Sequence, residues 1–372
     1  MKSKKYLKIL LGVLVLSTIL FSCENNIDEG ADFDSVETVA LTYVANMFES
    51  MNVLNPRNSF ENSEEDFFSN MDIEDEYGNK ICFSDLSPFE KELLKLDLTE
   101  GYVDDLTKQL EEDNGLLELI QIENEAFKNA IRSSRNKNLS QEDFIIRLMS
   151  EFERLSVKKE SRNSSGKLKD IERDKINTSS VQKLKSVYKK GRVLVSKDSS
   201  TSSSGFGHAS IMNYDKWNPA WENNMILKCT MTSSPIEKGG NWDGKFDGVQ
   251  EEPIGAWCGT SEGSAKTVSI LDVGKSKFVW KGVNSYWSFT NASNNDYTKA
   301  ANNASDKEGR PYSELYEMIN KKNTDSYYCS QLVWRAWYDV SNEYDLSTTF
   351  FVLPSHLITS KNSRLVTSYS NK

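Results

Sequence analysis

Apolar side chains recur at helical spacing through most of the first half of the chain. Val36, Val39, Ala40, Tyr43, Val44, Met47, Phe48 and Met51 fall on one helix face. Leu116, Leu119, Ile120, Phe127, Ala130 and Ile131 fall on another. Ser87-Pro88-Phe89-Glu90 supplies an N-cap, a proline at the first helical position and an acid at the third, ahead of Leu93, Leu94 and Leu96. Ser140-Gln141-Glu142-Asp143 begins a fourth helix, with Ile145, Leu148, Phe152 and Leu155 on its inner face. Residues 35–156 are therefore predicted to be all-helical. The stretch 157–183 is rich in Lys, Ser, Asn and Asp, has few large apolar groups, and reads as a linker.

From Gly191 the pattern changes. Residues 192–195, 225–232, 267–271 and 277–280 read as strands. Another strand, 207–212, follows a Ser/Thr loop at 199–204. Helical spacing returns at 312–321 and 328–340. Residues 184–372 are thus predicted to form an α+β domain, preceded by the helical region.

At 372 residues the chain is long enough for two domains. Its 38% apolar content, with 17 Phe, 15 Tyr and 8 Trp, sustains a core and excludes global disorder. The net charge of −10 is unevenly spread: residues 24–150 carry 30 acids against 10 bases, whereas 151–372 carry 25 against 31. The bases of the second half are scattered, so nucleic acid is not an expected partner. The helical region shows no chemical motif and is left with the role of spacer or docking module for an unidentified protein. Two histidines cannot build a His-rich metal centre, and no metal or cofactor is expected.

The first residues read as an address. Lys2, Lys4, Lys5 and Lys8 precede an uncharged stretch from Ile9 to Phe21, too short for the roughly 20 residues that span a bilayer. It ends in Leu20-Phe21-Ser22-Cys23, which resembles a bacterial lipobox. That resemblance implies a signal peptide at 1–22, lipidation of Cys23 and an acidic tether at 23–34, holding the protein on a membrane of the cell envelope. Export would leave Cys82, Cys229, Cys258 and Cys329 in an oxidising or mixed compartment, with a Cys229–Cys258 bridge left open.

Cys329 stands where the 328–340 helix should begin. A thiol there meets the positive end of the helix dipole and free backbone N–H groups, which favour the thiolate. His208 lies in a glycine-flanked strand, open to close approach by another segment. A thiolate at a helix start facing an imidazole on a neighbouring strand is an arrangement for nucleophilic catalysis.

Read in order, residues 185–365 resemble the circularly permuted papain-like amidases, the permuted branch of the NlpC-type cysteine hydrolases. The matching pieces are Gly207-His208-Ala209-Ser210-Ile211-Met212, the strand from Gly248 to Ile254, Gly309-Arg310-Pro311-Tyr312, and Tyr328-Cys329-Ser330-Gln331-Leu332-Val333-Trp334. Asp345-Leu346 and Pro354-Ser355-His356-Leu357 match the tail, with His356 as a helix cap. The resemblance implies a permuted papain-like fold with Cys329 as nucleophile and His208 as general base. Two departures stand out. Gly191-Arg192-Val193 replaces the family's usual Gly-Asp-Ile, and the third catalytic residue, commonly Glu, has no carboxylate counterpart in 225–234. Thr232 is then the residue left to orient the imidazole.

Three functions follow as expectations. The first is a lipid-anchored cysteine hydrolase acting on an amide or ester through an acyl-enzyme, with cell-wall peptides or acyl-lipids and other amide-bearing molecules as substrates. The second is a papain-like binding lipoprotein that has lost turnover, and the third is a scaffold that binds through its helical half.

Overall fold

The computed structural model describes residues 35–53, 71–134, 141–160, 177–197, 207–214, 229–232, 248–252, 255–258, 267–281, 285–313, 321–347, 349 and 351–371. Helices α1 (Val36–Val53), α2 (Pro88–Glu112), α3 (Asn114–Ser134) and α4 (Gln141–Glu160) make up most of the first part. The start of α2 follows from its sequence. Ser87 accepts from the Glu90 amide, Glu90 accepts back from Ser87, and Pro88 occupies the first turn. Leu94, Leu98, Leu106 and Leu110 form its buried stripe.

The expectation of an all-helical first region fails at one place. Ile73–Asp75 forms a strand, β1, that pairs in parallel with the sheet of the second half, Ile73 opposite Phe278. Three residues are too few to show a period of two, so no pattern announced it. The region 157–183 also differs from a plain linker. Residues 157–160 end α4, and Thr178–Ser186 form α5, capped by the Asn177 side chain, with Val181 and Leu184 buried. Residues 161–176 lie outside the described residues.

The second half supplies β2 (Val193–Ser196), β3 (His208–Met212), β4 (Cys229–Thr232), β5 (Val249–Glu252), β6 (Thr267–Trp280), β7 (Tyr286–Asn291) and β8 (Ser363–Ser370). Its helices are α6 (Gly255–Cys258), α7 (Asn294–Ser305), α8 (Cys329–Tyr338) and α9 (Pro354–Thr359). The strands form a mixed sheet in the order β1-β6-β2-β3-β4-β5, with β7 and β8 also on β6, all pairs antiparallel except β1–β6. The protein is therefore α+β. Residues 267–271 and 277–280, expected as two strands, are one. Gly274 between them is no turn: a Cβ there would lie 2.2 Å from the Thr290 carbonyl of β7, so only glycine lets the strands pair.

Strand alternation sorts the sheet into two faces. Val193, Val195, Ala209, Ile211 and Leu271 face a core built with α1, α2, α3, α7, α8 and α9. Leu194, Met212, Val268 and Ile270 face a second core with Val181 and Leu184 of α5, Trp257 of α6 and Tyr369 of β8. Val39, Ala40, Leu106 and Ile120 of the acidic helices thus share the main core with the strands. At roughly 1.5–3 kcal/mol per buried large apolar side chain, that shared interior stabilises the two halves together.

Candidate active site

β3 opens on Gly207, whose φ of +77° is a conformation that glycine adopts at no steric cost. A Cβ on Gly207 would lie 2.3 Å from the Ser196 carbonyl. This close approach brings β2 and β3 together at Ser196 opposite His208. β3 pairs with β4 at Ile211–Thr230, and β4 pairs with β5 at Thr232–Val249. Continuing that register sets Thr232 level with Ala209, so His208, Thr232 and Val249 stand at the same end of the sheet. Glu251 and Glu252 of β5 stand at the other end, opposite Thr230 and Cys229. The side chain of Thr232 lies outside the described residues, as do Cys23 and the side chain of Cys229.

α8 begins at this same end. Val249, Tyr327 and Leu332 form a small apolar cluster, and the turn Gly309–Arg310 hydrogen-bonds Val249 on both sides of its peptide. The far end of α8 reaches the far end of β3: Gly191 bonds the Met212 carbonyl and abuts Tyr297, whose ring packs edge-on against Trp337 at 4.9 Å. Cys329 is the first residue of α8 and is buried. The first helical hydrogen bond runs from the Leu332 amide to Tyr328, so the N–H groups of Cys329, Ser330 and Gln331 precede the helical ladder.

The helix start is held on all sides. Fully buried Gln331 accepts from the Tyr328 amide (3.3 Å) and from the Ser313 hydroxyl (3.4 Å), and donates to the carbonyls of Lys321 and Asn323. The Tyr328 hydroxyl accepts from the Val352 amide at 2.8 Å, and Ser330 donates to the Val352 carbonyl at 2.7 Å. Trp334 donates its indole N–H to Asp345 at 2.7 Å.

His208 is half-buried, and the packing around its ring pushes its pKa down to about 3. The imidazole is therefore neutral near pH 7 and, in this buried position, a weak proton acceptor. Its direction is the unexpected feature. Ala209 and Ile211 point toward α8, so the pleat turns His208 to the opposite face, where its ring stacks on Trp257 at 5.9 Å and 10°. Cys329 and His208 thus share one end of the sheet, while the strand alternation directs the ring away from the helix. The tool that sequence offers here is the period of two counted from Ile211, which assigns His208 to the face opposite Ile211.

Cys258 is a free, buried thiol 3.6 Å from the Tyr369 hydroxyl. His356 is a structural cap: its Nδ1 accepts from the Leu353 amide at 3.1 Å at the start of α9. Burial lowers its pKa to about 3, helped by Lys321.

One buried carboxyl escaped the sequence reading. Glu123 of α3 is fully buried and accepts from the Ser355 hydroxyl at 2.7 Å, while its Oε1 finds no partner among the described residues. Burial pushes its pKa up to about 8. These shifts predict the pH dependence of stability. Unfolded histidines take up protons below about 6.5, whereas His208 and His356 resist protonation until about 3, so stability falls as pH drops through that window. Glu123 keeps its proton to about 8 although the unfolded carboxyl ionises near 4.5, so stability also falls as pH rises from 4.5 to 8. The unfolding free energy from urea denaturation should therefore decline on both sides of mildly acidic pH, by an amount of the order of a few kcal/mol. Glu123→Gln should flatten the alkaline side alone.

No family model, no curated protein and no solved structure matches the chain.

Proposed function

We propose that the protein is a lipid-anchored cysteine hydrolase that opens an amide or ester bond through an acyl-enzyme on Cys329. The observation that carries the reading is a buried thiol at the first residue of α8, with its N–H groups ahead of the helical ladder, at the sheet end where β3 starts with neutral His208. In this chemistry the imidazole takes the thiol proton, and the sulfur forms a bond to the carbonyl carbon. The carbonyl oxygen gains the negative charge and is met by the helix-start N–H groups. The carbon–nitrogen or carbon–oxygen bond then breaks, the imidazolium returns the proton to the leaving group, and water hydrolyses the thioester.

The reaction requires the His208 ring to leave Trp257, and because its Cα–Cβ bond itself points to that face, the backbone at Gly207–His208 must rotate to carry the ring across the end of the strand. The place of His208 as the first residue of β3 makes that rotation local. The stack on Trp257 favours a second reading, in which the fold is kept for binding and turnover is lost. Exposure of the full chain to muropeptides and to acyl-lipids separates the two. Product release that disappears in Cys329→Ala and His208→Ala supports the hydrolase, and release that persists in both overturns it.

Anchoring through Cys23 is part of the same proposal. No helix among the described residues is long and apolar enough to cross a membrane. Cys23→Ser should abolish incorporation of labelled palmitate and leave the chain soluble or as unprocessed precursor. A lipidated, membrane-bound Cys23→Ser protein would contradict it.

A further inference from the structure

A cavity of about 520 Å³ lies between the acidic helices and the sheet, and neither Cys329 nor His208 lines it. α2 forms one wall, from Tyr102 past Asp105 and Gln109 to Glu112, a length of about 15 Å at 1.5 Å per residue. Ser269 and Ser276 of β6 and Arg364 and Ser368 of β8 line the opposite wall, and Tyr43, Val44, Leu106 and Ile358 give it an apolar floor.

Charge is sorted along this length. At the Tyr102 end, the Lys361 ammonium stands 3.5 Å from the centre of the Tyr102 ring and 3.1 Å from that of Trp287, and Arg364 lies 4.6 Å over Phe289. Asp105 is close enough to both cations to offset one of them. At the other end are Glu112 and Asp113, and Asp113 is paired with Lys197. Glu112 is left as the exposed anion of that end.

Two polar groups of the wall point to an occupant with hydrogen-bonding capacity. The fully buried Ser269 hydroxyl and the indole N–H of Trp287 have no hydrogen-bond partner among the described residues. Burial also holds the Lys361 ammonium well below its ordinary range, against the opposing pull of Asp105. A ligand carboxylate beside it would add to the pull of Asp105 and favour the charged form.

We propose that this cavity binds a short extended peptide, its carboxylate against Lys361 and Arg364 and its ammonium at Glu112. At about 3.3 Å per residue, the length admits about four or five residues. An aliphatic acid would satisfy the cationic end and the floor, and would leave Glu112 and the hydroxyl-lined wall without a role. The site uses no residue of the proposed hydrolase chemistry, so it stands or falls independently of that reading.

Calorimetric titration of the full chain with tetra-alanine tests it, alongside the N-acetylated peptide, the C-terminal amide and decanoate. Tetra-alanine should bind, and the amide should bind at least tenfold more weakly. Arg364→Gln, at an exposed position that leaves the core intact, should shrink that difference, and Lys361→Met should shrink it further. Glu112→Gln should remove the preference over the N-acetylated form. Absence of binding, equal affinity for all three peptides, or tighter binding of decanoate would each overturn the proposal.

Discussion

Replacing Cys329 by alanine is expected to abolish hydrolysis, by about three orders of magnitude or more, while the denaturation midpoint changes little. The thiol is a single small group at the end of an element, and alanine is a good helix former at that position. Tyr328, Ser330 and Gln331 hold the start of α8 through hydrogen bonds that do not involve the sulfur. The residual rate would come from binding and from the helix-start N–H groups alone. His208→Ala should lower the rate to a similar extent, because without a proton acceptor the thiol stays a poor nucleophile. Progress curves with a substrate released in the muropeptide or acyl-lipid screen, read beside urea midpoints, check both parts of this expectation.

Gly207→Ala is expected to produce a large loss of stability beside the site, about 2–4 kcal/mol. Two costs coincide at this position. The left-handed backbone disfavours any Cβ, and the added carbon would meet the Ser196 carbonyl at 2.3 Å, so β2 and β3 would have to separate beside His208. Gly78 supplies the contrast. Its φ of +83° is similar, but a Cβ there meets nothing within 4 Å. Gly78→Ala should therefore cost only the backbone share, about 1–2 kcal/mol. Equal losses for the two variants, measured by urea denaturation, would show that the strand approach at Ser196 is not what the glycine permits.

The helices with strong punctuation are legible in the sequence alone. The Ser87-Pro88-Phe89-Glu90 signal gives the start of α2, and the run from Cys329 gives α8 with Leu332, Val333, Ala336 and Trp337 buried. The helix ends at Tyr338, however, and Val340, expected on the same stripe, lies beyond it and is only half-buried. The α1 face of Val39, Ala40, Tyr43 and Val44 is buried as read. The strands were harder because their partners decide them. β8 carries Ser, Thr and Tyr on a half-exposed edge and shows no clean alternation, and β1 is three residues long. The runs 267–271 and 277–280 are joined through Gly274, and a glycine suited to close strand approach looks the same in sequence as one suited to a turn. The predicted helix at 312–321 falls largely outside the described residues, and at its edge Tyr312 bridges Tyr327 instead.

The candidate site was legible as residue types and chain order, and less so as directions. Helix-start placement of Cys329 followed from the spacing of its apolar neighbours. The stack of His208 on Trp257 did not, since 49 residues separate them and only the fold brings α6 under the sheet. Glu123 was partly legible: it falls three residues after Ile120 and four before Phe127, on the apolar face of its helix, whereas its partner Ser355 of α9 is supplied only by the fold.

The central claim is that Cys329 is a reactive thiol served by His208, and pH-resolved alkylation tests it most directly. The full chain and its His208→Ala variant would be treated with iodoacetamide from about pH 5 to about pH 10, and each cysteine read by mass spectrometry. Two thiols of the same chain calibrate the result: Cys82 is exposed, and burial pushes Cys258 up to about 12. The account predicts that Cys329 is labelled ahead of Cys82 well below the pH of about 8.5 at which a free thiol ionises, and that His208→Ala moves its labelling to higher pH. Labelling of Cys329 no faster than Cys82, unchanged by His208→Ala, would contradict it.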